Sequence, residues 1–448
     1  MTAYFAEHAW LPTGPHRNVR LEVTDGRWSA VHAGDAALAT GAVRLPGMVF
    51  SGLANAHSHA FHRALRGRTH DGGGTCWTWR QRMYAVAERL NPDSYLQLAR
   101  ATYAEMVLAG VTSVGEFHYL HHAPGGSRYQ DENVMAEALR QAAADAGLRI
   151  TLLDTAYLAG GLDASGHLPL DAVQQRFSDG DLESWQRRVS DLAPSAGMRV
   201  GAAIHSVRAV PRAALGEVGR FAAAGLGSST GPAPLHVHLS EQPAENEACE
   251  AYYGLSPTAL LLDQGVLGPS TTAVHATHLS AADVAALGDS RTTACICPTT
   301  ERDLADGIGP ARALADAGAP LSLGSDQHAI IDLIEEARAL EADERLASRQ
   351  RGRFSQSELV TALTAHHSLG WGDAGRLEVG ARADLVAVRQ DSVRTAGSAV
   401  DQLLMSATAA DVDTVMVDGR LIVEGGRHRL GDVGALLGAA VAPLWDER

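Results

Sequence analysis

The chain has 448 residues, of which 46% are hydrophobic and 20% charged, a composition typical of a globular protein with a large core. Acidic residues (52) outnumber basic ones (37), and the resulting formal net charge of −15 argues against a surface for nucleic acid or acidic lipid. The sequence contains no lysine, which excludes Schiff-base lysine chemistry, a P-loop lysine and a metal centre bridged by a carbamylated lysine.

The two ends of the chain share a short, strand-rich pattern. Alternating apolar residues flank Asp25-Gly26 near the start and Asp418-Gly419 near the end, and Asp-Gly between such runs is a hairpin signal. We therefore predict that residues 1–46 and 373–448 pair into one small β-sandwich domain and that the rest of the chain is inserted between them.

The middle of the chain, residues 47–372, alternates strand-like and helical segments, the pattern of βα units around a parallel sheet. Eight is the number of strands that closes a (β/α)₈ barrel, so we predict a distorted TIM-type barrel of the α/β class. The eight candidate strands are residues 47–55, 111–117, 149–155, 199–205, 235–239, 272–276, 293–297 and 320–324.

Several polar side chains stand at the carboxyl ends of these strands, where such barrels carry their active sites. The list is His57 and His59 after the first strand, His238 in the fifth, His275 in the sixth and Asp326 after the eighth. Imidazole and carboxylate together suit zinc or iron. A single histidine among 20 is more often structural, but this distribution predicts a metal site.

Four scattered cysteines, Cys76, Cys249, Cys295 and Cys297, predict reduced packing residues and no disulfide scaffold. The N-terminal segment lacks the apolar stretch of a signal peptide, and no run approaches the ~20 apolar residues of a membrane helix. We therefore expect a cytoplasmic protein that contacts neither membrane nor nucleic acid.

Three motifs resemble the amidohydrolase superfamily, and the resemblance covers essentially the whole chain. They are Asn55-Ala56-His57-Ser58-His59 after Pro46-Gly47-Met48, then His238-Leu239-Ser240-Glu241, then Gly324-Ser325-Asp326. The absence of lysine fits the mononuclear, deaminase-like branch. The resemblance implies one Zn²⁺ per subunit, with Fe²⁺ or Mn²⁺ as alternatives, held by His57, His59, His238 and Asp326.

The same resemblance assigns the proton transfers. His275 would orient and deprotonate the attacking water with help from Asp326, and Glu241 would carry a proton to the departing nitrogen. Whether His275 also binds the metal stays open at this point, as does the identity of the metal. A homodimer is expected by analogy with related barrels.

Four further segments resemble the N-formimino-L-glutamate deiminases. They are Trp77-Thr78-Trp79-Arg80, Gly115-Glu116-Phe117-His118-Tyr119, His205-Ser206-Val207-Arg208 and Cys297-Pro298-Thr299-Thr300-Glu301. The implied reaction is attack of metal-bound hydroxide on the formimino carbon, which gives N-formyl-L-glutamate and ammonia in histidine degradation.

Such a substrate is a small molecule with two carboxylates and one cationic group, and arginine meets carboxylates bidentately. The predicted substrate-binding residues are Arg80, Tyr119, His205, Arg208 and His62. Two positions depart from the family: His62 replaces an expected glutamine, and Gln327 replaces an expected smaller serine. They leave open a guanine- or cytosine-type heterocycle deaminase, or an enzyme for another formimino or guanidino acid. A non-catalytic barrel is disfavoured because no expected metal ligand is missing.

Overall fold

The computed structural model describes residues 2–70, 76–226 and 231–445, with the side chains of Cys76 and Trp77 outside this description. The strands in this part are β1 (Thr2–Leu11), β2 (Gly14–Thr24), β3 (Arg27–Ala33), β4 (Val43–Ser51), β5 (Leu53–Ser58), β6 (Val111–His118), β7 (Arg149–Ala156), β8 (Gly161–Asp163), β9 (Gly166–Leu168), β10 (Met198–Ile204), β11 (Leu235–Leu239), β12 (Thr271–His275), β13 (Thr293–Ile296), β14 (Leu321–Leu323), β15 (Leu385–Val388), β16 (Val412–Val417), β17 (Arg420–Glu424) and β18 (Arg427–His428). The helices are α1 (Cys76–Arg89), α2 (Pro92–Leu108), α3 (Val134–Ala146), α4 (Leu182–Ser190), α5 (Arg212–Ala223), α6 (Pro243–Tyr253), α7 (Pro257–Asp263), α8 (Ala281–Asp289), α9 (Pro298–Asp303), α10 (Ala311–Ala317), α11 (Leu333–Ser348), α12 (Gln356–Leu363) and α13 (Val433–Val441).

A parallel sheet in the order β14-β13-β12-β11-β10-β7-β6-β5 forms the predicted barrel in the described part of the chain. Every residue of β6 and β7 is buried, as expected for parallel strands covered on both faces. Helices such as α2 pack outside the strands. A capping box fixes the start of α2: Asn91 Oδ1 accepts a hydrogen bond from Ser94 N, and Ser94 Oγ accepts one from Asn91 N.

The first barrel strand differs from its prediction. Residues 47–55 were expected to form it, but the segment divides at Gly52 into β4 and β5. β4 pairs with β1 and β15 in the other large sheet, whereas β5 pairs with β6 in the barrel. Gly52 packs so tightly that an added Cβ would lie 2.3 Å from Thr112 Oγ1, so the chain changes sheets where a side chain would not fit.

Both chain ends form one continuous sheet, in the order β18-β17-β16-β15-β4-β1-β2-β3. Its own apolar cluster contains Leu21, Trp28, Val49 and Leu385. The two chain ends therefore form one small β domain, as predicted, although its described strands make a single sheet and not the two facing sheets of the expected sandwich. β4 carries the chain directly from this sheet to the first barrel strand.

A 3-10 helix, His366–Leu369, closes the end of the barrel at which the strands begin. His366 Nε2 lies 2.8 Å from the carbonyl oxygen of Gly52, and the Ser368 carbonyl oxygen lies 3.0 Å from His236 Nε2. The opposite end, where the strands finish, is therefore the end that can admit a ligand.

The described cysteines, Cys249, Cys295 and Cys297, are free and buried, which confirms them as packing residues. No described helix has both the length and the apolar character needed to cross a lipid bilayer.

Candidate metal centre and active site

The barrel closes between its first and last strands, β5 and β14, and we call this junction the seam. At the seam the Asp326 amide donates to the carbonyl oxygen of His57 (3.0 Å), and the His59 amide donates to that of Asp326 (3.1 Å). Closure of the barrel therefore places two histidines and one carboxylate side by side, although they are far apart in the sequence.

His238, at the end of β11, completes a set of four donors. Its Nε2 lies 3.1 Å from His57 Nε2 and 3.3 Å from His59 Nε2, while Asp326 Oδ1 lies 3.3 Å and 3.4 Å from the same two atoms. Donors about 2.1 Å from an ion at the centre of a tetrahedron lie about 3.4 Å apart. Four of the six separations among the predicted ligands match this spacing, and the donors are of the type that binds a divalent cation.

Hydrogen bonds behind the donors orient two of the rings. His59 Nδ1 lies 2.9 Å from the carbonyl oxygen of Phe117, and His238 Nδ1 lies 2.9 Å from that of His205. Each contact needs the proton on Nδ1, which leaves the Nε2 lone pair facing the other donors. Burial also lowers the pKa of His57 to about 3 and that of His59 to about 4, so both rings are neutral, as ligands must be.

His275 and Glu241 lie beside this donor set. His275 Nε2 is 3.9 Å from Asp326 Oδ2 and 3.9 Å from Glu241 Oε1. Burial alone would lower the pKa of His275, but Glu241, Glu301 and Asp326 together raise it well above its ordinary value. His275 Nε2 therefore lies between the other two predicted catalytic residues, at distances that one bridging water could span.

The backbone is unusual at this end of the barrel. Positive φ values at non-glycine residues occur at Ser240, His275, Ala276, Asp326 and His328. Such conformations cost free energy and persist where surrounding contacts impose them, frequently at functional sites.

A cavity of about 290 Å³ opens above the donors. All five predicted substrate-binding residues line it: His62, Arg80, Tyr119, His205 and Arg208. Its lining also includes His59, His238, Glu241, His275 and Asp326. The structure therefore brings the predicted metal, catalytic and substrate residues to one space.

Two arginines on the cavity wall have different surroundings. Arg80 Nε donates to Tyr84 Oη at 2.7 Å. Arg208 Nε lies 3.5 Å from Glu245 Oε2, and its Nη2 lies 3.9 Å from Glu241 Oε2. Both guanidinium groups are thus held at the cavity surface, one by a phenol and one by carboxylates.

The two departures from the family pattern have different outcomes. His62 lines the cavity, and its Nε2 lies 2.8 Å from Tyr119 Oη. Burial lowers its pKa well below the ordinary value. Gln327 is not part of the cavity lining, and its side-chain amide donates to Asp303 Oδ2 at 2.8 Å.

Sequence reasoning missed several cavity residues, namely Tyr84, Tyr157, Glu245 and Phe177. Tyr84 lies four residues after Arg80 in α1, so helical spacing could have suggested it. Tyr157 follows β7 directly, and the position after a barrel strand is a signal that applied to it equally.

A second histidine cluster lies outside this site. His118, His121 and Asp154 are close enough to hold a cation, but Arg188 donates two hydrogen bonds of 2.8 Å to Asp154. A guanidinium in that position occupies the carboxylate and repels a metal ion, so this cluster is a structural network.

Comparison with known proteins gives the same assignment over most of the chain. Residues 46–422 match the family "Amidohydrolase family", and residues 1–42 match "Formimidoylglutamate deiminase HutF, N-terminal domain". The formimidoylglutamate deiminase of Pseudomonas aeruginosa is 37% identical over 447 residues, with 96% of each chain covered.

Two solved structures share the fold. A crystal structure of an amidohydrolase from Brucella melitensis is 31% identical, with a TM-score of 0.88 and full coverage of both chains. An adenosine deaminase from Xanthomonas campestris, solved with bound zinc, is 22% identical with a TM-score of 0.81, covering 98% of this chain and 96% of its own.

Proposed function

The chain belongs to the amidohydrolase family, and from this premise we propose that it hydrolyses N-formimino-L-glutamate to N-formyl-L-glutamate and ammonia, a reaction of histidine degradation. One observation carries the proposal: a single cavity is lined both by Arg80 and Arg208 and by three of the four proposed metal donors, which are His59, His238 and Asp326. Such a cavity can bind a dicarboxylate and present its reactive carbon to the metal centre. The 37% identity to a formimidoylglutamate deiminase supports the same substrate.

We propose zinc as the metal, held by His57, His59, His238 and Asp326. The histidine and carboxylate donors and their separations of 3.1–3.4 Å support this choice, as does the zinc bound in the adenosine deaminase of the same fold. A divalent ion in this place would supply Lewis acidity and make a bound water acidic near neutral pH.

Proton transfers are assigned to the chain's own side chains. Water adds its oxygen to the formimino carbon and gives up a proton, which His275 Nε2 and the nearby Asp326 carboxylate are placed to accept. Glu241, 3.9 Å from His275, takes the hydroxyl proton of the resulting adduct and passes it to the terminal nitrogen, as the carbon–nitrogen bond breaks and the carbon–oxygen double bond forms. Ammonia leaves, and the formyl group stays on the glutamate nitrogen.

Substrate recognition is assigned to the two arginines and the polar side chains between them. Arg208 and Arg80 would each bind a carboxylate, since a guanidinium provides two parallel donors for this geometry. Burial lowers the pKa of His205 and His62 well below their ordinary values, so both are neutral hydrogen-bonding groups. The cationic formimino group would face Glu241.

The test is ammonia release from N-formimino-L-glutamate, compared with a panel of purines, pyrimidines and guanidino acids, with metal analysis of the same preparation. Chelation should abolish turnover, and added Zn²⁺ should restore it. The variant D326N keeps the shape of the side chain but loses its negative charge, and it should be almost inactive. Turnover of a heterocycle with none of formiminoglutamate would overturn the proposal. The expected homodimer and the cytoplasmic location stay predictions.

A further inference from the structure

The imidazole of His275 has a second edge that the reaction does not use. Nε2 faces Asp326 and Glu241, whereas Nδ1 points to the other side, 3.6 Å from Glu301 Oε1. Within the described residues, Nδ1 has no hydrogen-bond partner at ordinary length. A buried ring nitrogen without a partner is costly, and hydrogen bonds between catalytic groups are frequently long before a ligand binds.

The Glu301 side chain is held in place by a backbone amide four residues earlier in the chain. Its Oε1, the oxygen that faces His275, also accepts a hydrogen bond from the Cys297 amide at 2.8 Å. The side chain is buried and does not line the cavity. Glu301 can therefore act on His275 but cannot touch a substrate in that cavity.

A second buried carboxylate anchors the same segment at a different point. Glu336 accepts from Thr299 N at 3.0 Å and from Thr299 Oγ1 at 2.5 Å. Glu336 therefore holds the same segment that carries Glu301, but it is Glu301 whose carboxylate faces His275. Replacing each carboxylate in turn can separate an effect on His275 from a loosening of the segment.

We propose that Glu301 is the positioning residue of His275: it keeps the proton of the neutral ring on Nδ1 and so directs the Nε2 lone pair towards Asp326 and the cavity. This inference rests on the role assigned to His275 under the proposed function. The arrangement follows the general pattern in which a carboxylate behind a histidine fixes its tautomer and orientation.

The hydrogen bond from the Cys297 backbone N–H leads to a specific prediction for the glutamine variant E301Q. Because the Cys297 N–H requires an acceptor, it should keep the glutamine oxygen, and not the NH₂ group, at the position next to His275. E301Q should therefore preserve the Nδ1–H tautomer, while E301L, which has no acceptor, should lose it.

The test combines imidazole ¹⁵N NMR and steady-state kinetics on the metal-loaded full chain. Spectra are recorded without substrate at an alkaline pH above the raised pKa of His275, so that the ring is neutral, and His275 is assigned by comparison with H275Q. We expect Nδ1–H in the wild type and E301Q, and Nε2–H or a mixture in E301L. We expect kcat of E301L to fall about 10–100-fold with KM within about twofold, and kcat of E301Q to stay closer to wild type.

E336Q is the control for loosening of the segment, and it should lower the melting temperature while leaving the His275 tautomer unchanged. An unchanged tautomer in E301L, or the same tautomer change in E336Q, would overturn the inference. If the wild type does not turn over formiminoglutamate, the proposed function fails, whereas the NMR comparison still decides the role of Glu301.

Discussion

Replacing Arg208 with methionine separates two roles of its guanidinium. One is the proposed contact with a substrate carboxylate. The other is the neutralisation of Glu245, which is buried and has no hydrogen bond to either carboxylate oxygen within the described residues. Burial raises the pKa of Glu245, and the charge of Arg208 opposes that rise.

The two roles have different magnitudes. A hydrogen bond to a charged group contributes about 1.5–3 kcal/mol, so R208M should raise KM roughly 10–150-fold if the contact is equally strong in the ground and transition states. Removing one partner of a buried ion pair costs about 3–5 kcal/mol of folding stability. We expect the lower end, because the Nε–Oε2 separation is 3.5 Å and Glu245 can take up a proton.

The assay measures kcat, KM and urea unfolding for the wild type, R208M, E245Q and the double variant R208M/E245Q. The double variant should regain most of the lost stability but keep the raised KM. R80M is the matched control: KM should rise with a smaller loss of stability, because Arg80 donates to the neutral hydroxyl of Tyr84. A wild-type KM in R208M/E245Q would refute the reasoning, since Arg208 would then serve only to neutralise Glu245.

Two further predictions concern proton transfer and acid stability. E241Q should lower kcat about 10²–10⁴-fold and retain its metal, because Glu241 is outside the four-donor set; loss of metal on analysis would contradict this. Burial alone would raise the pKa of Asp154 and Asp179, but Arg188 and nearby histidines hold both below the usual value. Their stabilisation is therefore present above the ordinary aspartate pKa of about 3.9 and lost as the pH falls below it. Urea unfolding from pH 6 to pH 3 should show this loss in the wild type. The loss should be smaller in R188L, because Asp154 and Asp179 then keep their contacts with Trp185 Nε1 and His122 Nε2 but lose the guanidinium charge.

Most barrel strands were predictable because parallel strands buried on both faces have continuous apolar sequences. The predicted strand at residues 235–239 has the observed bounds of β11. The first strand was wrong because β4 and β5 are both apolar, and only the pairing partners show that they lie in different sheets.

The convergence of the proposed donor side chains was predictable for a related reason. His57, His238 and Asp326 each end or follow a strand, and strand ends converge in any barrel. Glu245 and the link between Glu301 and His275 were not predictable, because helix packing and loop conformation bring them together. No sequence spacing encodes those contacts.

The seam has a consequence for the folding of the chain. The barrel closes between β5 and β14 through hydrogen bonds of the His59 and Asp326 backbone amides. The side chains of these two residues belong to the proposed donor set. An ion bound by these side chains would connect the first strand to the last. Binding of the ion would therefore stabilise the closed barrel, and opening of the barrel would weaken the binding of the ion.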